Sequence, residues 1–162
     1  MLPILFCAAL IAVDQLSKYL AYTLLRPVGT VIIIDKVFSL TYVENVGAAF
    51  GILQGARWFF IVITVIVIAG IIYYYLKLPK DRAYNKARFT LLVILSGALG
   101  NFVDRLRNGY VVDFFHARFI DFPVFNIADS YVVVGVILFA ILYLFVYKED
   151  KTRERQAEPE RL

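Results

Sequence analysis

Residues 58–76 read WFFIVITVIVIAGIIYYYL, nineteen consecutive positions without a charged or amide side chain. A helix rising 1.5 Å per residue crosses a hydrocarbon core of about 30 Å in about 20 residues, so this run predicts a membrane-spanning helix. Trp58, Phe59 and Phe60 at one end answer Tyr73, Tyr74 and Tyr75 at the other. Rings at both ends of an apolar run form the aromatic belts of the two membrane–water boundaries.

Three more runs accompany it. Residues 2–25 start directly after Met1, with Pro3 in the tolerated first turn. This segment has no basic leader and carries Asp14 and Lys18, which a cleavable signal would lack, so it is expected to be a retained span. Residues 89–105, FTLLVILSGALGNFVDR, form a shorter span whose far end holds Ser96, Gly97 and Gly100, small residues that let helices approach closely. The fourth span is expected over residues 129–147, followed by the charged tail 148–162, KEDKTRERQAEPERL, which is expected to be disordered.

The composition agrees with this count. The chain of 162 residues is 61% hydrophobic and 16% aromatic, with a mean hydropathy of +0.74. An ordinary soluble domain has a smaller apolar share. The expected fold class is an all-α membrane protein of four transmembrane helices, a single domain over residues 1–147. The net charge of +4 and pI near 9.2 do not argue for nucleic acid, because basic residues flanking apolar spans are topology signals. Ten Lys and Arg lie between the second and third spans and in the tail, against six on the other side: five in the segments 26–57 and 106–128, and Arg105 at the end of the third span. The positive-inside rule therefore places both termini in the cytoplasm and those two segments outside.

In the outer segments Val31–Ile34 is followed by Asp35, Lys36 and a run in which Phe38, Leu40 and Tyr42 alternate with Ser39 and Thr41, a strand pattern. We expect a small extracytoplasmic β-sheet lying on the membrane, together with a short loop helix. Gly47 and Gly51 stand at turn-like positions that would suit a mobile cover, and Asn108-Gly109 is a tight-turn signal ahead of YVVDFF.

Charged residues inside a span cost roughly 2.5–3.5 kcal/mol each, which makes them functional candidates. Asp14 and Lys18, four apart, share one helical face and can pair. A structural ion pair would explain them equally well. With four spans, the end of the first, the end of the third and the start of the fourth lie on one side. Asp14, Lys18, Asn101, Asp104, Arg105, Asn126 and Asp129 therefore converge near one face, joined by Asn45 and Asp113 from the outer segments. Asn126 can cap the fourth span, with Asp129 in its positive first turn. Asp113 is embedded in VVDFF, where desolvation favours the protonated acid. Two carboxylates in such contrasting settings form an acid and base pair.

Other chemistries fit less well. His116 is the only histidine, so no multi-histidine metal site is possible, and we expect an interfacial loop residue. A G-x-S-x-G elbow and the nucleotide-binding glycine motifs are absent. The lone Cys7, inside an apolar run, cannot form an internal disulfide and is expected to pack. No cofactor or metal is called for. A small transporter or channel with a carboxylate relay is the leading alternative, but no internal repeat relates the two halves. A non-catalytic assembly subunit, whose acids would only pair helices, is a second.

The motifs DQLSK (14–18), ENVGAAFG (44–51), SGALGNFVDR (96–105), VVDF (111–114) and FNIADS (125–130) resemble, in this order, those of the lipoprotein signal peptidases, or signal peptidase II, of bacterial inner membranes. The resemblance runs to about Tyr147; Ser96, where that family often has glycine, is a small departure. It implies an aspartic endopeptidase that removes signal peptides from prolipoproteins just before a diacylglyceryl-modified cysteine. It also implies that Asp113 and Asp129 are the catalytic dyad, and that Asp14, Lys18, Asn45, Gly47, Asn101, Asp104, Arg105 and Asn126 support the site or bind substrate. The residues alone leave Asp104 open as a dyad member. The partners expected are lipidated prolipoproteins and membrane lipid, with the chain itself a monomer.

Overall fold

The computed structural model describes residues 1–47, 53–120 and 122–144. Helix α1 (Leu2–Leu20) runs on through a π-helical turn over Ala21–Leu25 and leads into strands β1 (Thr30–Ile34) and β2 (Phe38–Asn45). Then come α2 (Arg57–Lys77), a 3-10 turn (Arg82–Tyr84), α3 (Asn85–Arg107), strand β3 (Val111–Ala117) and α4 (Ile127–Leu142). The short helix expected in a loop has one counterpart among the described residues, that 3-10 turn between α2 and α3. Three helical segments, Leu2–Leu25, Arg57–Lys77 and Arg82–Arg107, are long and apolar enough to cross a membrane. Helix α4 is apolar but has 16 residues, about 24 Å at 1.5 Å each, and positions 145–147 lie outside the described residues, as does the tail.

The surface is inverted relative to a soluble protein. On α2 only Ile61 is buried, while Phe59, Val62 and Ile66 are each more than half exposed. Apolar side chains distributed this way suit hydrocarbon as the solvent, where the helix meets all its own backbone hydrogen bonds. The inner contacts rest on small residues. A Cβ on Gly97 would collide with the Ala128 carbonyl, one on Gly100 with the Asp14 carboxylate, and one on Gly135 with Ile94. These three positions bring α3 against both α1 and α4. Cys7 is buried as expected, its thiol 3.8 Å from the Leu92 carbonyl.

The strands form one antiparallel sheet in the order β1-β2-β3. The third strand is not evident from the sequence, and it moves His116 out of a loop into register with Ser39. The Asn108-Gly109 signal serves as a helix cap. Gly109, at φ +85°, donates to the Arg105 carbonyl at 3.2 Å, and Asn108 donates to the Asp104 carbonyl at 2.7 Å. A left-handed residue just past a helix ends it sharply, and α3 thus turns at once into β3. Arg57, first residue of α2, donates to the carbonyls of Arg105 (2.8 Å) and Leu106 (2.6 Å), pinning the start of α2 to the end of α3.

Candidate active site

Asn101, Asp104 and Arg105 are spaced i, i+3, i+4 on α3, and Asp14 and Lys18 are spaced i, i+4 on α1, so each helix presents one polar face near its C-terminal end. Lys18 spends its three ammonium donors on Asp14 Oδ2 (2.9 Å), Asp104 Oδ2 (3.2 Å) and Asn101 Oδ1 (2.8 Å). Asp14 Oδ1 accepts the backbone N–H of Ala128 at the start of α4, at 3.0 Å. Asp104 accepts the N–H of Val112 on β3 at 3.2 Å and the side-chain amide of Gln15 at 2.9 Å. Asp14, Lys18 and Asp104 are all buried. Burying charges is costly, and a group is retained at such a position when each member is paired and hydrogen-bonded, as here. The network joins α1, α3, α4 and β3 at one point.

Asp113 and Asp129 stand beside this network and are linked by one residue. The side chain of Asn126 donates to Asp113 Oδ1 at 2.7 Å and accepts from the N–H of Asp129 at 2.9 Å, while its backbone N–H donates to Asp129 Oδ2 at 3.1 Å. The reciprocal pair between Asn126 and Asp129 is a capping box that opens α4. Each carboxylate has a second support. Asn45, on β2, donates to Asp113 Oδ2 at 2.8 Å, and Asn101 donates to Asp129 Oδ1 at 2.7 Å. Asn45 comes within reach because β2 pairs with β3 and sets Val43 opposite Asp113.

Both carboxylates line a cavity of about 300 Å³ with Asn45, Gly47, Asn101 and Arg105, and the apolar residues Pro123, Phe125 and Val133 form part of its wall. Of the ten residues singled out from the sequence, six therefore face this space. Asp14, Lys18, Asp104 and Asn126 do not line it and hold it from behind. Burial pushes the Asp113 carboxyl up to about 7; the charge of Asp129 adds to the rise, against hydrogen bonds from Asn45 and Asn126 and the charge of Lys18. Arg105 places a guanidinium nitrogen 3.5 Å from the Gly47 carbonyl and lies over the Phe60 ring at 5.0 Å. Gly51 and the other residues of 48–52 lie outside the described residues, and so does the expectation of a mobile cover there.

Two residues of the surroundings escape sequence reasoning. Gln15, whose amide touches Asp14, Asp104 and the Gly100 carbonyl, could have been found as an amide side chain inside an apolar span. Arg57 resembles an ordinary flanking charge, and no sequence signal separates it from one.

A bundle with a lipid-facing exterior and an inner cavity lined by two carboxylates describes a membrane enzyme, and solved structures agree. A bacterial membrane enzyme structure obtained by the in meso method at 2.3 Å matches with a TM-score of 0.80 and 37% identity, over 92% of this chain and 90% of that one. A second, at 1.9 Å, matches with a TM-score of 0.77 and 37% identity over 89% and 93%. The chain belongs to the signal peptidase (SPase) II family, whose profile matches residues 6–145. A lipoprotein signal peptidase of Caldanaerobacter subterraneus subsp. tengcongensis is 50% identical over 145 residues, 89% of this chain and 97% of that protein. One from Streptococcus pyogenes serotype M1 is 47% identical over 141 residues, 87% and 90%. The protein is thus a peptidase and a multi-pass membrane protein, as the five motifs implied, and these relatives do not favour the transporter alternative.

Proposed function

We propose that this protein removes signal peptides from prolipoproteins, cutting just before a diacylglyceryl-modified cysteine, with Asp113 and Asp129 as an aspartic dyad. The observation that carries the reading is the position of Asn126, which ties both carboxylates to one another at the wall of a single cavity. A water held between the two acids loses a proton to the ionised aspartate as its oxygen attacks the scissile carbonyl. The protonated aspartate donates to the carbonyl oxygen, and the tetrahedral intermediate collapses with a proton passing to the departing amine. The rise of Asp113 to about 7, partly through the charge of Asp129, supports a pair that holds one proton near neutrality, the two carboxyls titrating as a unit. Arg105, Asn45 and Gly47 are placed to hold substrate backbone, and Asp14, Lys18, Asn101, Asp104 and Asn126 position the pair.

In this reading residues 1–147 form one four-span domain in the bacterial inner membrane. Both termini and the tail 148–162 are cytoplasmic, and the sheet and the cavity lie at the extracytoplasmic face. The substrate's acyl chains stay in lipid while its peptide enters the cavity, and the enzyme works as a monomer. The test is cleavage of a diacylglyceryl-modified prolipoprotein by the purified protein, with Asp113→Asn and Asp129→Asn variants and an unlipidated substrate alongside. Cleavage that needs the lipid and vanishes in both folded variants is expected. Retained cleavage in either variant would transfer the catalytic assignment to another carboxylate.

A further inference from the structure

Strand β3 divides two cavities. Val111 and Asp113 line the one already described, whereas Val112, on the opposite face of the strand, and Tyr110 just before it line a second of about 270 Å³. Its floor is formed by Lys18 and Asp104, and its rim by Tyr19, Tyr22 and Arg107. We propose that this second cavity seats the phosphodiester headgroup of an anionic phospholipid, with Arg107 as its principal ligand.

The guanidinium groups nearest in the fold are all engaged. Arg26 donates to Tyr22 and pairs with Glu44, Arg57 caps α3, and Arg105 faces Gly47. Arg107 is exposed, and its side chain makes no hydrogen bond, ion pair or ring contact among the described residues. A planar guanidinium matches two phosphate oxygens at once. The Tyr19 and Tyr22 hydroxyls add donors, and the three phenols mark the level of a membrane boundary. Asp104 at the floor shares Lys18 with Asp14, so the floor is not cationic and the phosphate belongs at the rim.

The surroundings favour a lipid over a free anion. Helices α1 and α3 run parallel, since Phe6 packs on Phe89, Gln15 reaches Gly100 and Lys18 reaches Asp104. One turn before Tyr19 and Arg107, on the side toward the membrane interior, lie Leu16 and Val103, 59% and 37% exposed. Acyl chains hanging from a headgroup at Arg107 would cover these two residues. This placement rests on the membrane orientation proposed above.

The test uses the full chain in vesicles containing a photoactivatable phosphatidylglycerol or phosphatidylcholine, with cross-linked peptides mapped by mass. Wild type is expected to label peptides spanning residues 16–25 and 103–112 with the anionic lipid about tenfold more than with the zwitterionic one, whose phosphate is the same but whose choline cation opposes Arg107. Arg107→Gln should abolish that preference, while labelling around residues 77–88, at the other end of the bundle, stays at the wild-type level and reports a folded protein. Equal labelling by both lipids, or labelling of 103–112 unchanged in Arg107→Gln, would overturn the proposal. Loss of labelling in excess inorganic phosphate would reassign the cavity to a small anion. Cleavage of lipidated substrate by the same samples tests the peptidase reading separately.

Discussion

Replacing Asp113 with asparagine should change how stability depends on pH as well as abolish cleavage. The carboxyl is about 7 in the folded protein against an ordinary 3.8, because it is 1% exposed beside Asp129. A folded-state value above the unfolded one means that the folded protein holds its proton over the interval between them. Stability is therefore complete below 3.8, declines as pH rises to about 7, and stays at its reduced level above. The interval corresponds to about 4 kcal/mol. In Asp113→Asn this loss disappears. The new amide turns an N–H₂ toward Asn45 or Asn126, both donors here, at a cost of about 1–3 kcal/mol that does not vary with pH. The difference between variant and wild type should thus move by about 4 kcal/mol in favour of the variant from pH 4 to pH 8. At about 2–4 °C per kcal/mol this is roughly 10 °C in melting midpoint. Circular dichroism melts of both proteins in the same detergent at the two pH values measure it. Parallel midpoints would show that burial of Asp113 does not hold a proton on the pair near neutrality, and the reading of the two acids as a singly protonated dyad would fail.

Three further expectations follow from the same geometry. With one proton on the Asp113–Asp129 pair required, kcat/KM for lipidated substrate should fall about tenfold per pH unit once pH passes about 7, and a flat profile to pH 9 would contradict that requirement. Asp14→Ala leaves Lys18 with one carboxylate and strips the Ala128 N–H of its acceptor, so it should lower stability by about 3–5 kcal/mol, whereas Glu44→Gln at the exposed pair with Arg26 should cost less than about 1 kcal/mol. Comparing their melting midpoints with wild type checks both. Gly100→Ala puts a methyl against the Asp14 carboxylate and should destabilise by about 1–3 kcal/mol, while Gly70→Ala, with open space around it, should be neutral or slightly stabilising in the same melts.

Much of the architecture was readable in the chain because hydrocarbon imposes a strong local rule: every backbone group must bond within its own helix, and side chains there must be apolar. Residues 58–76 therefore declared a span without any knowledge of neighbours. The cap at Asn126 with Asp129 three residues on was equally local, and so was the i, i+4 pairing of Asp14 with Lys18. What the chain alone left open was which acids face the cavity. Asp104 and Asp113 are both carboxylates expected near one face, and nothing in their spacing separates them. Tertiary structure did so by burying Asp104 under Lys18, Gln15 and the Val112 N–H, and by pairing β2 with β3 so that Asn45, 68 positions away, supports Asp113. The strand β3 itself was hidden for a related reason, since its pattern of burial comes from the π-helical turn after α1, from β2 and from Ile127 of α4 packed around it, and has no period of its own. Local chemistry determined where the chain crosses lipid and which residues could react; long-range packing decided which of them meet.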